Sequence, residues 1–236
     1  MTDKFPVIIA VRLGSSRLPG KALKPFLDGR SMLDHIIERV RSSKYVGDII
    51  IATTTKDQDD DLVAYTKENN VLLYRGSESN VADRITKAAE HLKADHFYEV
   101  LGDNPFIDPE FFEKIFQMHR LKPEAKYISF NTAEYGYRHS TEFPIGVRVQ
   151  FVKTTEMQKI QATKNEYYFE HATSYFYNKI DQNEFILIEN EKYAENMSEI
   201  NLAVNTIQDF YIAGLILNEV TSTNWLEAYN RYILLQ

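Results

Sequence analysis

The chain has 236 residues, 44% hydrophobic and 26% charged, so it can bury a large core, and wholesale disorder is excluded. Lys and Arg total 27 against 34 Asp and Glu, a formal charge of −7, which argues against a non-specific nucleic-acid binder needing excess cations to displace counterions. There is no cysteine, which excludes disulfides, thiolate nucleophiles, zinc–thiolate sites and iron–sulfur clusters.

Pro6 to Val11 is a continuous apolar, β-branched run and reads as a fully buried strand. Ser31 to Ser43 repeats Leu33, Ile36, Ile37 and Val40 at helical spacing, with Ser31 as N-cap. Asp48 to Thr53 is a second buried strand, and Asp59 to Glu68 an amphipathic helix whose opening acids suit its positive dipole end. Val71 to Tyr74 is a third strand, Val81 to Leu92 a helix, and His96 to Leu101 a fourth strand ended by Gly102-Asp103-Asn104-Pro105. Pro109 to Met118 follows as a helix with proline in its first turn. In the second half, Tyr127 to Asn131, Ile145 to Val152, Ala172 to Tyr177 and Phe185 to Ile188 read as strands. Thr154 to Thr163, Thr206 to Val220 and Trp225 to Leu235 read as helices.

Strands and helices alternating in this way predict right-handed crossovers and a parallel sheet with helices on both faces. Ligands then bind beyond the C-terminal strand ends. No repeat or Pro/Gly/Ser-rich linker divides the chain, so one domain over 1–236 is expected, its less regular second half (121–236) carrying an embedded small mixed-sheet lobe. No apolar stretch approaches the roughly 20 residues of a bilayer span, and the apolar run near the N-terminus is too short for a signal-peptide core. A cytoplasmic protein with no membrane or nucleic-acid partner is expected.

Two loops fall at the strand ends. The first reads Arg12-Leu13-Gly14-Ser15-Ser16-Arg17-Leu18-Pro19-Gly20-Lys21. Glycines let backbone amides approach an anion, arginines grip phosphate oxygens bidentately, and lysine adds a mobile point charge. It is not a Walker A loop: five residues separate Gly14 from Gly20, and Ala22 stands where a magnesium-binding hydroxyl would be. The second loop, Gly102 to Pro105, supplies one carboxylate, Asp103. The acidic run Asp57, Asp59, Asp60 and Asp61 reads as a solvated helix start rather than a metal site. None of the six histidines has metal-ligand spacing. Phe111, Phe112, Phe116 and the Tyr167-Tyr168-Phe169 run read as core or interface.

Arg12 to Lys21 with Ala22-Leu23, Arg75-Gly76-Ser77-Glu78 followed by Asp83-Arg84, and Gly102 to Pro109 together resemble the cytidylyltransferase superfamily. The closest likeness is to the branch named after spore-coat polysaccharide biosynthesis protein F, and it covers nearly the whole chain, most strongly residues 5 to 120. It implies an α/β, Rossmann-like nucleotide-diphospho-sugar transferase (GT-A-like) three-layer sandwich with a mostly parallel sheet. It also implies a homodimer that transfers CMP from CTP to a sugar or sugar-acid acceptor, releasing pyrophosphate, for surface-glycan assembly. On that likeness Arg12, Arg17, Lys21 and Asp103 are catalytic. Leu13, Gly14, Ser15, Ser16, Thr53, Thr54, Arg75 and Gly102 bind nucleotide, the base and ribose meeting Thr53, Thr54 and Arg75. The same likeness makes residues 1–120 a nucleotide-binding half and 121–236 an acceptor and oligomerisation half, in which Glu170 and His171 face the acceptor, although a packed or surface His171 is equally compatible with the residues. Apart from the likeness, the polar, aromatic and glycine-containing loop Tyr135 to Thr141 suits an oxygenated acceptor through Arg138 and His139, and a mobile loop with no fixed role suits it equally. Mg²⁺ is expected on Asp103 and Asn205, where the family carries a second Asp in a Val-Asp-Thr segment. Here Val204-Asn205-Thr206 stands instead, and the site has one negative charge fewer. A different nucleotide, a non-sugar acceptor, or a catalytically weak nucleotide-binding subunit are the alternatives. A glycosyltransferase is disfavoured because Asp103-Asn104-Pro105 lacks the Asp-x-Asp motif.

Overall fold

The apolar run after Pro6 forms β1 (Phe5–Ala10), whose flanks on both sides are further strands. A computed structural model describes residues 4–132, 143–180, 182–190, 197 and 199–236. α1 (Met32–Arg41) starts where predicted: Ser31 Oγ accepts from the Asp34 amide at 3.2 Å, and the Asp34 carboxylate accepts from the Ser31 amide at 2.7 Å. This reciprocal cap satisfies two amides that a helix start leaves without partners. β2 (Val46–Thr54), α2 (Asp60–Glu68), β3 (Leu72–Gly76), α3 (Val81–His91), β4 (His96–Leu101) and α4 (Pro109–Leu121) complete the first half.

Among the described residues seven strands form one sheet in the order β3-β2-β1-β4-β6-β5-β7, the last three in the chain being β5 (Tyr127–Phe130), β6 (Gln150–Lys153) and β7 (Phe185–Ile188). Only β6 runs antiparallel to its neighbours, β4 and β5; the other pairings are parallel. The second-half strands therefore extend the same sheet, and the expected mixed lobe is not separate from it. Alternate strand residues feed two cores. Val7, Ile9, Ile49, Ile51 and Tyr98 pack on one face with α1, α4 and the later helices α8 (Ile207–Glu219) and α9 (Trp225–Leu234). Ile8, Ile50 and Phe97 pack on the other with α3, α5 (Thr154–Ala162) and α7 (Ala172–Tyr177). A sheet buried on both faces explains why its strands read as unbroken apolar runs. Phe111, Phe112 and Phe116 are core, as expected.

Two expectations fail, each for a local reason. Ala172–Tyr177 is helix, not strand: Phe176 stacks on Tyr127 with centroids 4.7 Å apart, so packing against the sheet overrides the strand preference of its aromatics. The predicted strand from Ile145 shrinks to Gln150–Lys153 because Gly146 turns at φ +94°, with the Ala203 backbone lying 2.3 Å from where a Cβ would stand. That tight approach of Gly146 to Ala203 brings the segment leading into α8 up against the strand ends.

β1 leads to β2 and β3 on one side, and the crossover through α3 returns to β4 on the other. The order in which strands are added therefore reverses between the parallel neighbours β1 and β4, the place where open α/β sheets bind ligands. There the Gly102 amide donates to Ala10 O at 3.0 Å, and a Cβ on Gly102 would lie 2.6 Å from Val11 Cβ. Only glycine lets the two strand ends come this close. Among the described residues no helix is long and apolar enough to cross a membrane.

Candidate functional site

A cleft of about 330 Å³ opens at the C-terminal ends of β1 and β4. The loop Arg12–Lys21 forms one wall, contributing Arg12, Ser15, Ser16, Arg17 and Lys21, while Gly102 and Asp103 form its floor. Asn205 reaches it from the start of α8, and Glu170 and His171 come from the junction of α6 (Glu166–Glu170) with α7. Residues 188 positions apart bond here: Arg17 Nη2 donates to Asn205 Oδ1 at 2.8 Å. Lys21 Nζ donates to Val204 O at 2.6 Å and lies 3.4 Å from Asp103 Oδ2. Arg12 donates to Glu78 O at 3.4 Å and pairs with Glu170 at 3.7 Å.

The loop is closed on itself. The Ser15 and Gly20 amides both donate to Leu13 O at 2.9 Å, and Gly20 takes φ +72° to allow the turn. The amides of Ser16 and Arg17, both cleft residues, donate to no group among the described residues, which leaves them available to an anion. Leu13 itself is buried and acts as an anchor: its amide donates to Asp59 Oδ1 at 2.7 Å.

Asp59 departs from the solvated reading of its acidic run. It is 0% exposed, and its second oxygen accepts from the Thr54 amide at 3.3 Å and, in a very short bond, from the Thr54 hydroxyl. One buried carboxylate thus ties the end of β2 to the first turn of the phosphate loop. Asp59→Ala strands these three donors and is expected to destabilise the fold by about 2–4 kcal/mol. Denaturant unfolding measures this, and an unchanged midpoint would contradict the assignment.

The structure does not place the expected base-contacting residues in the cleft. Thr53 and Thr54 are fully buried, and the Thr54 hydroxyl is committed to Asp59. Arg75 spends all three guanidinium nitrogens, on Thr54 O at 2.8 Å, Lys56 O at 2.8 Å and the Asp60 carboxylate at 2.7 Å. Val81 and Arg84, at the start of α3, line that flank instead. Gly14 does not line the cleft either; the Gln58 side chain covers it. Arg138 and His139 lie outside the described residues. His171 lines the cleft with its ring 4.8 Å from that of Tyr167.

Four cations line the cleft, Arg12, Arg17, Lys21 and Arg84, against two carboxylates, Asp103 and Glu170. In a chain of charge −7 this local surplus marks an anion site. Sequence reading missed two contributors, Asp59 and Arg84. Arg84 was visible within the Asp83-Arg84 motif, but helical periodicity alone does not reveal that its side chain is only 2% exposed against this cleft.

The family model described as cytidylyltransferase matches residues 6–211. The chain is 34% identical over 178 residues to the spore coat polysaccharide biosynthesis protein SpsF of Bacillus subtilis, covering 72% of this chain and 69% of that one. It is 32% identical over 137 residues to the 8-amino-3,8-dideoxy-manno-octulosonate cytidylyltransferase of a Shewanella species, covering 56% of this chain and 52% of that one. In fold it is similar to a cytidylyltransferase structure from Leptospira borgpetersenii, with a TM-score of 0.83 at 23% identity, over 98% of this chain and 93% of that one.

Proposed function

The chain belongs to the cytidylyltransferase family, CTP-dependent nucleotidyltransferases, and on that premise we propose the residues that hold its substrates and the class of its acceptor. The reaction joins an acceptor oxygen to the α-phosphorus of CTP, breaks the bond to the bridging oxygen, and releases pyrophosphate with that electron pair. The acceptor proton leaves to solvent. We assign the triphosphate to Arg12, Arg17 and Lys21, with the amides of Ser16 and Arg17 beneath it. The observation that carries this is the meeting of Arg17 with Asn205 and Lys21 with Asp103, and of Arg12 with both pairs in one cleft, where the strand order reverses between β1 and β4.

Charge accumulates on the leaving pyrophosphate, and fixed cations stabilise it more strongly in a confined cleft than in water. Lys21 and Arg17 now contact Asp103 and Asn205; a triphosphate drawing them onto its own oxygens frees both acceptor groups. The donor set fits Mg²⁺, a hard ion that takes one or two protein oxygens and fills its shell with phosphates and water. Among the described residues no cluster of three or more acids or histidines competes with that arrangement. Mg²⁺ held by Asp103, with the Asn205 amide oxygen beside it, would supply charge neutralisation at the phosphates.

The neutral Asn205 leaves Arg17 its full charge. Asn205→Asp is expected to pair with Arg17, weaken CTP binding without metal by about 3- to 10-fold, and steepen the Mg²⁺ dependence. Titrating CTP at several Mg²⁺ concentrations tests this; identical curves for both proteins would contradict it.

The acceptor we propose is a sugar or sugar acid for glycan assembly, bound on the Glu170–His171 side, and the relatives' names support that class. The assembly proposed is a homodimer, supported by exposed Tyr211 and Leu215 on α8 beside exposed Leu27; a monomer mass in sedimentation would end that part. Pyrophosphate release with each nucleoside triphosphate in turn, over a panel of sugar acids, tests the whole reading. Release with CTP alone is expected. Release with another nucleotide would contradict it, and CTP binding without turnover on any acceptor would favour a nucleotide-binding subunit.

A further inference from the structure

Of the four cations in the cleft, two are neutralised within the chain: Lys21 by Asp103 and Arg12 by Glu170. Arg17 faces the neutral Asn205. Arg84 has no ion pair among the described residues, although it is only 2% exposed. Its Nη1 donates to Ser77 O at 2.5 Å, and its buried Nε has no hydrogen-bond partner. An unpaired buried guanidinium is costly, and such groups persist where a ligand completes them.

The surroundings favour an anion. Burial first, and then repulsion from Arg12, push the Arg84 guanidinium down to about 10, while Asp59 and Glu78 act the other way from beyond ion-pair distance. The carboxylate of Glu78 is turned to Lys56 at 3.2 Å, and that of Asp59 to Leu13 and Thr54. Arg84 sits in the first turn of α3, an 11-residue helix whose N-terminal residue Val81 also lines the cleft. Asn80 caps the Asp83 amide at 2.9 Å, which leaves the amides of Val81 and Ala82 without a partner among the described residues. Gly76 makes room for the arginine stem, since a Cβ there would lie 3.2 Å from Arg84 Cγ. A helix N-terminus beside a buried guanidinium that has no carboxylate partner and an unsatisfied Nε suits a phosphate.

We infer that Arg84 and the N-terminus of α3 form a second phosphate-binding element of the cleft, near Arg12, which grips phosphate oxygens of the nucleotide. A phosphate fits better than a single carboxylate because the cleft carries two positive charges beyond its two carboxylates. The inference rests on reading the cleft as the nucleotide site and adds a cation that the loop Arg12–Lys21 does not contain.

The test is calorimetric titration of inorganic pyrophosphate, and separately of CTP, into the full chain and its Arg84→Met and Arg84→Lys variants, with Arg17→Ala as reference. Arg84→Met keeps the buried stem and removes the charge. It is expected to weaken both probes by about tenfold or more, with a smaller loss in Arg84→Lys, which keeps charge but not the planar fork. Partial rescue by lysine is what a purely structural role would not give. Affinities unchanged in both Arg84 variants, while Arg17→Ala loses binding, would overturn the role of Arg84 alone. A wild-type chain that binds neither probe would overturn the nucleotide reading with it. Should Arg84→Met fail to fold, Arg84→Lys decides: a loss of about threefold or more supports the site, and unchanged affinity overturns it.

Discussion

Arg17→Ala is expected to lower CTP affinity by about two orders of magnitude and to leave the melting temperature nearly unchanged. The side chain is exposed, and its hydrogen bond to Asn205 at 2.8 Å is on the protein surface, so its loss costs the fold little. A phosphate held in a partly enclosed cleft is a different partner: losing a bidentate guanidinium there removes a charge-assisted pair and leaves phosphate oxygens without donors. The two effects separate cleanly in one pair of measurements, calorimetry for CTP and thermal unfolding for the fold. Unchanged affinity would remove the loop from the nucleotide site.

Asp103→Asn is expected to cut kcat by about a hundredfold or more, with CTP affinity in the absence of metal changed by no more than about threefold. Asparagine keeps the shape of the side chain at the β4 end and its contact to Lys21, so the loop geometry survives. What is lost is the one carboxylate that the β4 end presents beside Lys21 and Asn205. The readout is the split itself, turnover down while metal-free binding holds. Turnover close to that of the unaltered chain would show that the reaction does not depend on this carboxylate.

The parallel half of the sheet is readable because each strand is a short apolar run and each helix a periodic one, with Ser31 marking a helix start by its cap. The phosphate loop was readable because its chemistry lies within ten consecutive residues. Asp103 and Asn205 were named from resemblance, and the fold brings them to that loop through bonds from Arg17 and Lys21. What stayed hidden depends on contacts distant in sequence. Asp59 looks like its neighbours Asp60 and Asp61, and its burial with bonds from Thr54 and from the Leu13 amide, 46 positions away, distinguishes it. Arg75 looks like a free cation until its nitrogens are seen bound to the β2 end and Asp60. Arg84 looks like a helix-surface residue until its burial at the cleft is known. Ala172–Tyr177 carries strand-forming aromatics, and its helical state follows from the sheet face it covers.

The central claim is that the cleft at the β1 and β4 ends is where CTP is bound and cleaved. A crystal structure of the chain with CTP and Mg²⁺ tests it most directly. The account predicts phosphate oxygens within hydrogen-bond distance, about 3 Å, of Arg12, Arg17, Lys21 and the loop amides, with the metal touching Asp103 and the Asn205 amide oxygen. A triphosphate bound away from this loop, or a metal bound without Asp103, would contradict it.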